Sequence, residues 1–453
     1  MKKKIILVTL LIAFAVSLVA CGKSNGSGTD SSEALQPAEK EEQTIAADIS
    51  IWTYQVGAWS DEEAIKGIIA SFNQKYPDIH VTAKALDYTD GDAVVQEAID
   101  SKSAPDIIME GPERLVSNWG AQGLMADLND LWDDETVSDI SSNNLAVLAA
   151  CIGTDGNYYE YPLCMNAHCM AVNKELFEAA GAMQYIDDET RTWSTDDFEK
   201  ALMALKAYQV DTTGIVYCGG QGGDQGTRAL AMNLYSAQFT NGAHTTWTMD
   251  SEAGIKGIKK LQEWCSKGLL TADPSIVAAD ELTKFAAGEA AMTFCWNASN
   301  RVNYAESVNF TPYAVAFPSD DNVPELAGGI YGFGVFDNGD ENKIAAAKTF
   351  IKFVCDDASQ ARESVKTAGF FPVRASLGDV YADTKDAETM AEFARFMPYL
   401  GDYYNVTPGW AEQRTAWWEM LQKAFAGKNV ETIVKEYTEI CNGATNEVLR
   451  NFK

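Results

Sequence analysis

Between Ile49 and Glu110 the chain alternates strand-like and helix-like stretches in a rhythm that few folds accommodate. Ile49-Ser50-Ile51-Trp52-Thr53-Tyr54 alternates as a strand does and breaks at Gly57. Asp61 to Tyr76 then carries apolar residues at helical spacing, Ile65, Ile68, Ile69 and Phe72. Asp61 is placed to cap that helix, and Glu62 and Glu63 fall in the first turn, where the helix dipole favours acid. Pro77-Asp78 stops it and Ile79-His80-Val81 opens a second strand. A second helix over Ala93 to Ile99 leads to Asp106-Ile107-Ile108-Met109-Glu110, whose unbroken apolar run reads as a fully buried strand. Strand, helix, strand, helix, strand in that order requires a parallel sheet with helices on both faces.

The second half repeats the rhythm less cleanly. Gly214-Ile215-Val216-Tyr217 reads as a strand, followed by CGGQGGDQG and a helix from about Thr227. The glycines fail the spacing of a dinucleotide loop and no Gly-Lys-Ser/Thr follows, so a strand-to-helix turn lining a cleft is expected rather than a phosphate loop. From Asn342 onward the chain is mainly helical. A mature chain of this length exceeds one typical core, so two lobes are expected.

The N-terminus predicts export. Met1 to Lys4 are basic and Ile5 to Val19 almost wholly apolar, too short to span a bilayer comfortably but fitting a secretory signal. The segment ends LVAC, which resembles a bacterial lipobox with Cys21 as the lipidated first residue. The following Gly- and Ser-rich, charged stretch has no apolar period and is expected to be a flexible tether. Its Gly22-Lys23-Ser24-Asn25-Gly26 matches the nucleophile-elbow pattern but lacks the flanking strand and helix that motif needs.

Composition excludes some functions. With 65 acidic against 35 basic residues, the chain lacks the clustered cations that nucleic-acid phosphates require. His80, His168 and His244 are the only histidines and show no metal-ligand spacing, so neither a metal nor a cofactor is expected. Setting Cys21 aside leaves eight cysteines without a Cys-x-x-Cys pair, several in apolar surroundings, where mostly free thiols are expected.

Several stretches, in order, resemble an extracellular solute-binding protein of an ABC importer, of the family that includes the maltose-binding protein. They are DISIWTY with ASFNQKYPDIHV, SAPDIIMEGPERLVSNWGAQGLMADLNDL, GNYYEYPLCMNAHCMAVNKELFEAAG, KFAAGEAAMTFCW, AGGIYGFGVFDNGDENKIAAAKTFIKFV and FFPVRASL. Agreement over about four hundred residues is what gives such weak pieces weight. The resemblance implies an α/β, two-lobed periplasmic-binding-protein fold of type II, each lobe a mostly parallel sheet flanked by helices. It also implies hinge closure on a carbohydrate, most simply an oligosaccharide, and delivery to importer membrane subunits without chemistry on the ligand. The expected organisation is a lipoprotein signal at 1–20, a tether at 21–46, a first lobe of 47–163 and 318–355, and a second lobe of 164–317 and 356–453. A monomer anchored on the extracellular face of a bacterial, Gram-positive membrane is expected. The eight internal cysteines are more than the family usually carries.

Sugar recognition needs flat aromatics and a few fixed polar groups. Trp52 and Tyr54 end the first strand, where parallel sheets open into a cleft. Glu110 ends the third strand with Arg114 just beyond, a pair that serves either a ligand or simply itself. Asn166 follows the YPLCMN crossing, as a turn cap or a ligand contact. Trp296 with Asn297 matches the family's ligand-facing Trp, so Trp296 is expected to emerge at the cleft edge. Tyr331 follows two glycines that permit close approach. Arg374, Trp410 and Arg414 are further candidates, with packing or surface roles as the alternative. Of the consecutive Trp417 and Trp418, one is expected in the core. An exported glycoside hydrolase, with Glu110 as one of two carboxylates, or a binder of a non-sugar solute remain the alternative readings.

Overall fold

The computed structural model of the chain describes residues 45–88, 90–220 and 225–451. The signal segment, Cys21, the tether up to Thr44, the pattern at Gly22–Gly26 and the Gln221–Asp224 part of the glycine-rich turn lie outside the described residues.

The opening rhythm forms as expected. β1 (Ala47–Thr53) sends Ile49, Ile51 and Thr53 inward, and its register with β2 (Ile79–Ala85) is parallel along the whole strand. Between them the helix Glu62–Lys75 buries Ile65, Ile68 and Phe72, and the Asp61 carboxylate accepts the Glu63 amide at 3.0 Å. β3 (Ile107–Glu110) is buried at every residue and pairs parallel with β1. Ile107 and Met109 enter one core with Ile49, Ile51, Phe72 and Phe350, while Ile108 faces a second with Tyr54, Leu115, Trp119 and Phe336. Two covered faces explain the unbroken apolar run.

The chain then leaves this sheet and returns. β4 (Tyr161–Ala167) belongs to it; β5 (Cys169–Asn173) does not. The second lobe is built on β5, on β6 (Ile215–Tyr217) paired parallel with β7 (Thr271–Asp273), and on β8 (Met292–Trp296) and β9 (Pro312–Val315) flanking β5. β10 (Gly328–Val335) comes back and slots between β3 and β4, and β11 (Phe371–Pro372) closes the far edge. The larger sheet therefore runs β11-β4-β10-β3-β1-β2.

Two expectations need adjusting. The sheets are parallel in β2-β1-β3 and β6-β7, but β10, β4 and β11, and β8-β5-β9, pair antiparallel. A strand that re-enters from the other lobe arrives pointing the opposite way, so antiparallel pairing follows from the crossing. Between β4, which contains the 163/164 position, and β5 of the other sheet lies His168, whose amide donates to the Ala327 carbonyl at 2.8 Å. Similarly the helix Ala358–Ala368 and β11 pack with the first sheet, since Trp59 Nε1 donates to the Ser364 carbonyl at 2.9 Å and β11 pairs with β4.

All eight described cysteines are free thiols. No helix among the described residues is long and apolar enough to cross a membrane. Trp417 is fully buried and Trp418 only partly, as two consecutive helical positions must diverge.

Trp296 departs from expectation. β8 is buried at all five residues, and Trp296 retains 1% of its surface. Its ring meets Phe285 edge-on at 5.5 Å and Tyr304 at 6.4 Å, so helices on both sides cover it. It fills the core of the second lobe. Trp296→Ala should therefore lower unfolding free energy by about 3–5 kcal/mol, read as a reduced urea midpoint. An unchanged midpoint would show that the indole is not a core group.

Candidate functional site

The carboxyl ends of β1, β2 and β3 deliver three side chains to one place. Tyr54 follows β1, Tyr88 follows β2 and Glu110 ends β3. Gly111 and Pro112 then turn the chain into a helical stretch, Pro112–Arg114, that continues as a π-helix over Leu115–Gly120. Proline suits the first helical position because its missing N–H is unpaired there anyway. This turn brings Glu113 and Arg114 beside Glu110, and the helix Gly91–Asp100 adds Asp92.

Arg114 is held from three directions. Its Nε and Nη2 donate to the two oxygens of Asp92 at 2.8 and 3.1 Å, and its Nη1 donates to Glu110 Oε1 at 2.9 Å. The guanidinium lies 4.9 Å from the Tyr54 ring and 5.5 Å from the Tyr88 ring, which stack on each other at 5.3 Å. The Tyr54 hydroxyl donates to Asp92 at 2.5 Å. A bidentate arginine bordered by two rings is a rigid fixture. Burial alone would raise the Asp92 carboxyl, but the Arg114 hydrogen bonds and charge carry it below its ordinary value.

The acids behind this fixture are less well compensated. Glu110 keeps 1% of its surface, and burial pushes its carboxyl up to about 7. The Glu113 charge adds to that rise, while Arg114, the Gly111 amide and the Tyr88 hydroxyl oppose it. Glu160, just before β4, is fully buried, and neither carboxyl oxygen has a hydrogen-bond partner among the described residues. Burial first, then the charges of Glu113 and Glu110, raise it well above the usual carboxylate range. Tyr403 reaches in from the segment after Leu400 and donates to Glu113 Oε2 at 2.9 Å. Its neighbour Tyr404 lies 4.5 Å from Phe239 and 5.3 Å from the Arg228 guanidinium in the second lobe. The short helix Tyr404–Val406 and Tyr403 before it thus bridge the two lobes.

The residues expected from sequence divide accordingly. Tyr54, Glu110 and Arg114 meet in this cluster, and Tyr331 stands beside it on β10, next to Gly332, the register partner of Glu110. The Tyr331 ring stacks on Phe370 at 5.3 Å. Trp52 is half-buried under the Lys84 ammonium at 3.9 Å. Asn166, 4% exposed on β4, pairs in register with Gly329, and its side-chain amide bonds none of the described residues. Asn297 caps the helix Ala298–Asn303, accepting the Asn300 amide at 2.8 Å. Arg374 belongs to a separate brace on the Tyr161 side of β4, donating to the Tyr161 hydroxyl at 2.7 Å and to Asp356 at 2.6 Å. Arg414 sits 5.1 Å from the Trp410 ring in the first turn of the helix Trp410–Phe425.

Tyr88, Asp92, Glu113, Glu160 and Tyr403 were not expected. Tyr88 obeys the same strand-end rule as Tyr54, and Glu113 lies one residue from Arg114, so local reading reaches both. Glu160 and Tyr403 come from distant chain and carry no local signal.

Two neighbouring cavities lie near the bridge. One of about 50 Å³ lies between Val116, Gly153 and Thr154 on one side and His244, Val406 and Pro408 on the other. A second, of about 360 Å³, shares Ala121, Gly153 and Thr154 in its lining and is otherwise bordered by Gln122, Gly123, Asp155 and Tyr159. A third, about 300 Å³, is lined by Phe371, Tyr381, Met390 and Arg374, away from the acidic cluster. Among the described residues no group of three or more His, Cys, Asp or Glu is arranged to hold a metal ion.

Comparison with known proteins decides the family. The profile of the bacterial extracellular solute-binding protein family matches residues 67–392, well over half the chain. The chain is a bacterial extracellular solute-binding protein. Its fold is that of the maltose-binding protein. The cyclic α-maltosyl-1,6-maltose binding protein of Arthrobacter globiformis superimposes with a TM-score of 0.71 at 19% identity, over 90% of this chain and 100% of that one. The sugar-binding protein MalE of Xanthomonas citri gives 0.70 at 14% identity over 88% and 98%. An ABC substrate-binding protein of Listeria monocytogenes in complex with cycloalternan gives 0.65 at 18% identity over 88% and 99%. No curated protein matches this solute-binding protein by sequence.

The raised Glu110 carboxyl makes stability pH-dependent in a defined direction. Folded Glu110 keeps its proton to about 7 against an ordinary 4.5, so its contribution is fully present below 4.5 and lost as pH rises through 7. Glu160 acts in the same direction, as does Glu281, fully buried in the second lobe and raised to about 8 by desolvation. The urea midpoint should fall from pH 5 to pH 8, and Glu110→Gln or Glu160→Gln should each flatten part of that slope. A midpoint that climbs with pH would contradict the assignment.

Proposed function

We propose that this solute-binding protein captures a carbohydrate, most simply an oligosaccharide, between its lobes and hands it to the membrane subunits of an ABC importer. The observation that carries the reading is the bridge at Tyr403: a second-lobe segment closes onto carboxylates and tyrosine rings at the strand ends of the first lobe. Rings offer flat apolar area at low conformational cost, and carboxylates accept sugar hydroxyls. Tyr88, 45% exposed, and Tyr331 supply such faces beside Glu110 and Glu113. A polar cavity of about 360 Å³ at Thr154 and Gln122 is large enough for a sugar unit. The solved relatives named above are described as binding saccharides, which agrees with this reading. Asn166, with an unengaged side-chain amide, is a further contact in this reading; Trp52, Arg374, Trp410 and Arg414 are at most supports.

Binding is proposed to be reversible and without turnover, the lobes closing about the passages at His168 and Ala327. Transport energy then comes from an ATPase on another chain. Cys21 is proposed as the lipidated anchor that keeps the protein at the outer face of the membrane.

A thermal-shift screen against neutral oligosaccharides should raise the melting temperature, with the sugar recovered intact. Tyr88→Ala should weaken binding by roughly tenfold or more without unfolding the protein. Cleaved sugar would replace the binder with a hydrolase. Cys21→Ala should release the protein from the cell into the medium; retention would refute the anchor.

A further inference from the structure

We propose that the cavity at the β11 edge of the larger sheet is a second binding site, for a small neutral molecule with an apolar body and a hydrogen-bond-accepting head. It lies away from the acidic cluster, so the inference stands apart from the saccharide reading. About 300 Å³ lies between β4, β11, the turn at 374–381 and the helix Ala387–Ala394. Protein interiors leave few voids larger than a water molecule, and an apolar cavity of about 150 Å³ holds benzene. This one has room for a substituted ring.

The floor is apolar. Met165 on β4, Phe371 on β11, Tyr381, Met390 and Met397 each keep 7% of their surface or less. Methionine side chains adjust to the shape of a guest. The helix presents Ala391 and Ala394 at the rim, both exposed and too small to cover that floor.

Arg374 sets the chemistry of the head. It forms part of the wall and keeps 9% of its surface, yet only Nη2 is hydrogen-bonded, to the Tyr161 hydroxyl and Asp356. Nη1 stands 3.9 Å from Asp139, beyond hydrogen-bond reach, and Nε has no partner among the described residues. The other amide on the wall, Asn143, is committed to the Pro372 and Val373 carbonyls. A buried donor without an acceptor is costly, and an oxygen on the guest supplies one. That oxygen belongs to a neutral group. Asp356 and Asp139 already answer the guanidinium and Asp379 adds a further carboxylate to the wall, so an anion is repelled. An ammonium brings only donors and leaves those of Arg374 unmet.

The test titrates the intact chain, carbon-13 labelled at its methionine methyls, with four probes of similar body and different head: acetophenone, ethylbenzene, phenylacetate and 2-phenylethylamine. Acetophenone should shift the methyl signals of Met165, Met390 and Met397, assigned by Met165→Leu, Met390→Leu and Met397→Leu. It should bind at least about tenfold tighter than the other three. Ala391→Trp, at an exposed position, should fill the mouth and abolish the shifts. Arg374→Gln should bring acetophenone down to the level of ethylbenzene. Melting curves check that both variants are folded, and Ala391→Trp decides the matter if loss of the Tyr161 brace unfolds the other. No saturable shift at these methyls, or binding that survives Ala391→Trp, overturns the site. Equal or tighter binding of any of the other three probes overturns the neutral, accepting head.

Discussion

The central constraint in this molecule is the insertion of β10 between β3 and β4. A strand that begins at Gly328 completes a sheet whose first strands lie before residue 111, so the chain must leave that sheet, build the second lobe and return. The hinge passages, the antiparallel half of the sheet and the position of Tyr331 all follow from this one pairing. The insertion also depends on glycine. A Cβ at Gly332 would fall 2.4 Å from the Tyr161 carbonyl and 2.8 Å from Glu160 Oε1, and one at Gly334 would lie 2.4 Å from Met125. Without side chains on that face, β10 leaves room for the helix at Leu115 and for the Glu160 carboxyl beneath it.

Charge is arranged around that pairing in layers. Nearest the opening, Asp92 and Arg114 form a bidentate pair stacked by Tyr54 and Tyr88. Such a pair is well satisfied and contributes geometry more than attraction, since each charge is already answered. Deeper in, Glu110 shares only one donor of the same guanidinium, and deepest of all Glu160 has none. The acids of the cluster therefore become less well compensated, and less able to ionise, with distance from solvent. A structural ion-pair network optimised for stability would place its unpaired acids outermost, where water screens them. The order here is the reverse, so stability is given up at Glu110 and Glu160, as the proposed ligand site would require.

The sequence revealed what period and strand direction determine, and little else. The opening three strands and two helices were legible because their apolar spacing is regular and their caps are local. The strand-end rule then located Tyr54, Glu110 and Arg114, and applied evenly it reaches Tyr88 as well. It misplaced Trp296, because a residue at a strand end faces a cleft only if nothing covers it. The helices around Phe285 and Tyr304 do cover it, which period alone cannot reveal. The brace at Arg374 was illegible for a related reason: its partner Asp356 ends another helix, so the pair forms only once both have docked. Glu160 and Tyr403 were illegible, since their significance arises from contacts with Glu113 and Glu110 far away in the chain.

Tyr403 ties these strands of reasoning together. Its hydroxyl touches Glu113 in the first lobe, while the next residue stacks among Phe239 and Arg228 in the second. Separation of the lobes must break one of these attachments, and the hydroxyl–carboxylate bond is the weaker, being a single contact against a packed ring. Opening would then deprive Glu113 of its Tyr403 donor. In the proposed function, a ligand group that contacts both Glu113 and Tyr403 favours the closed arrangement over the open one. Only such a differential interaction can shift the balance between two conformations. The acidic cluster and the inter-lobe bridge are in this sense one device, with Glu113 as the residue they share.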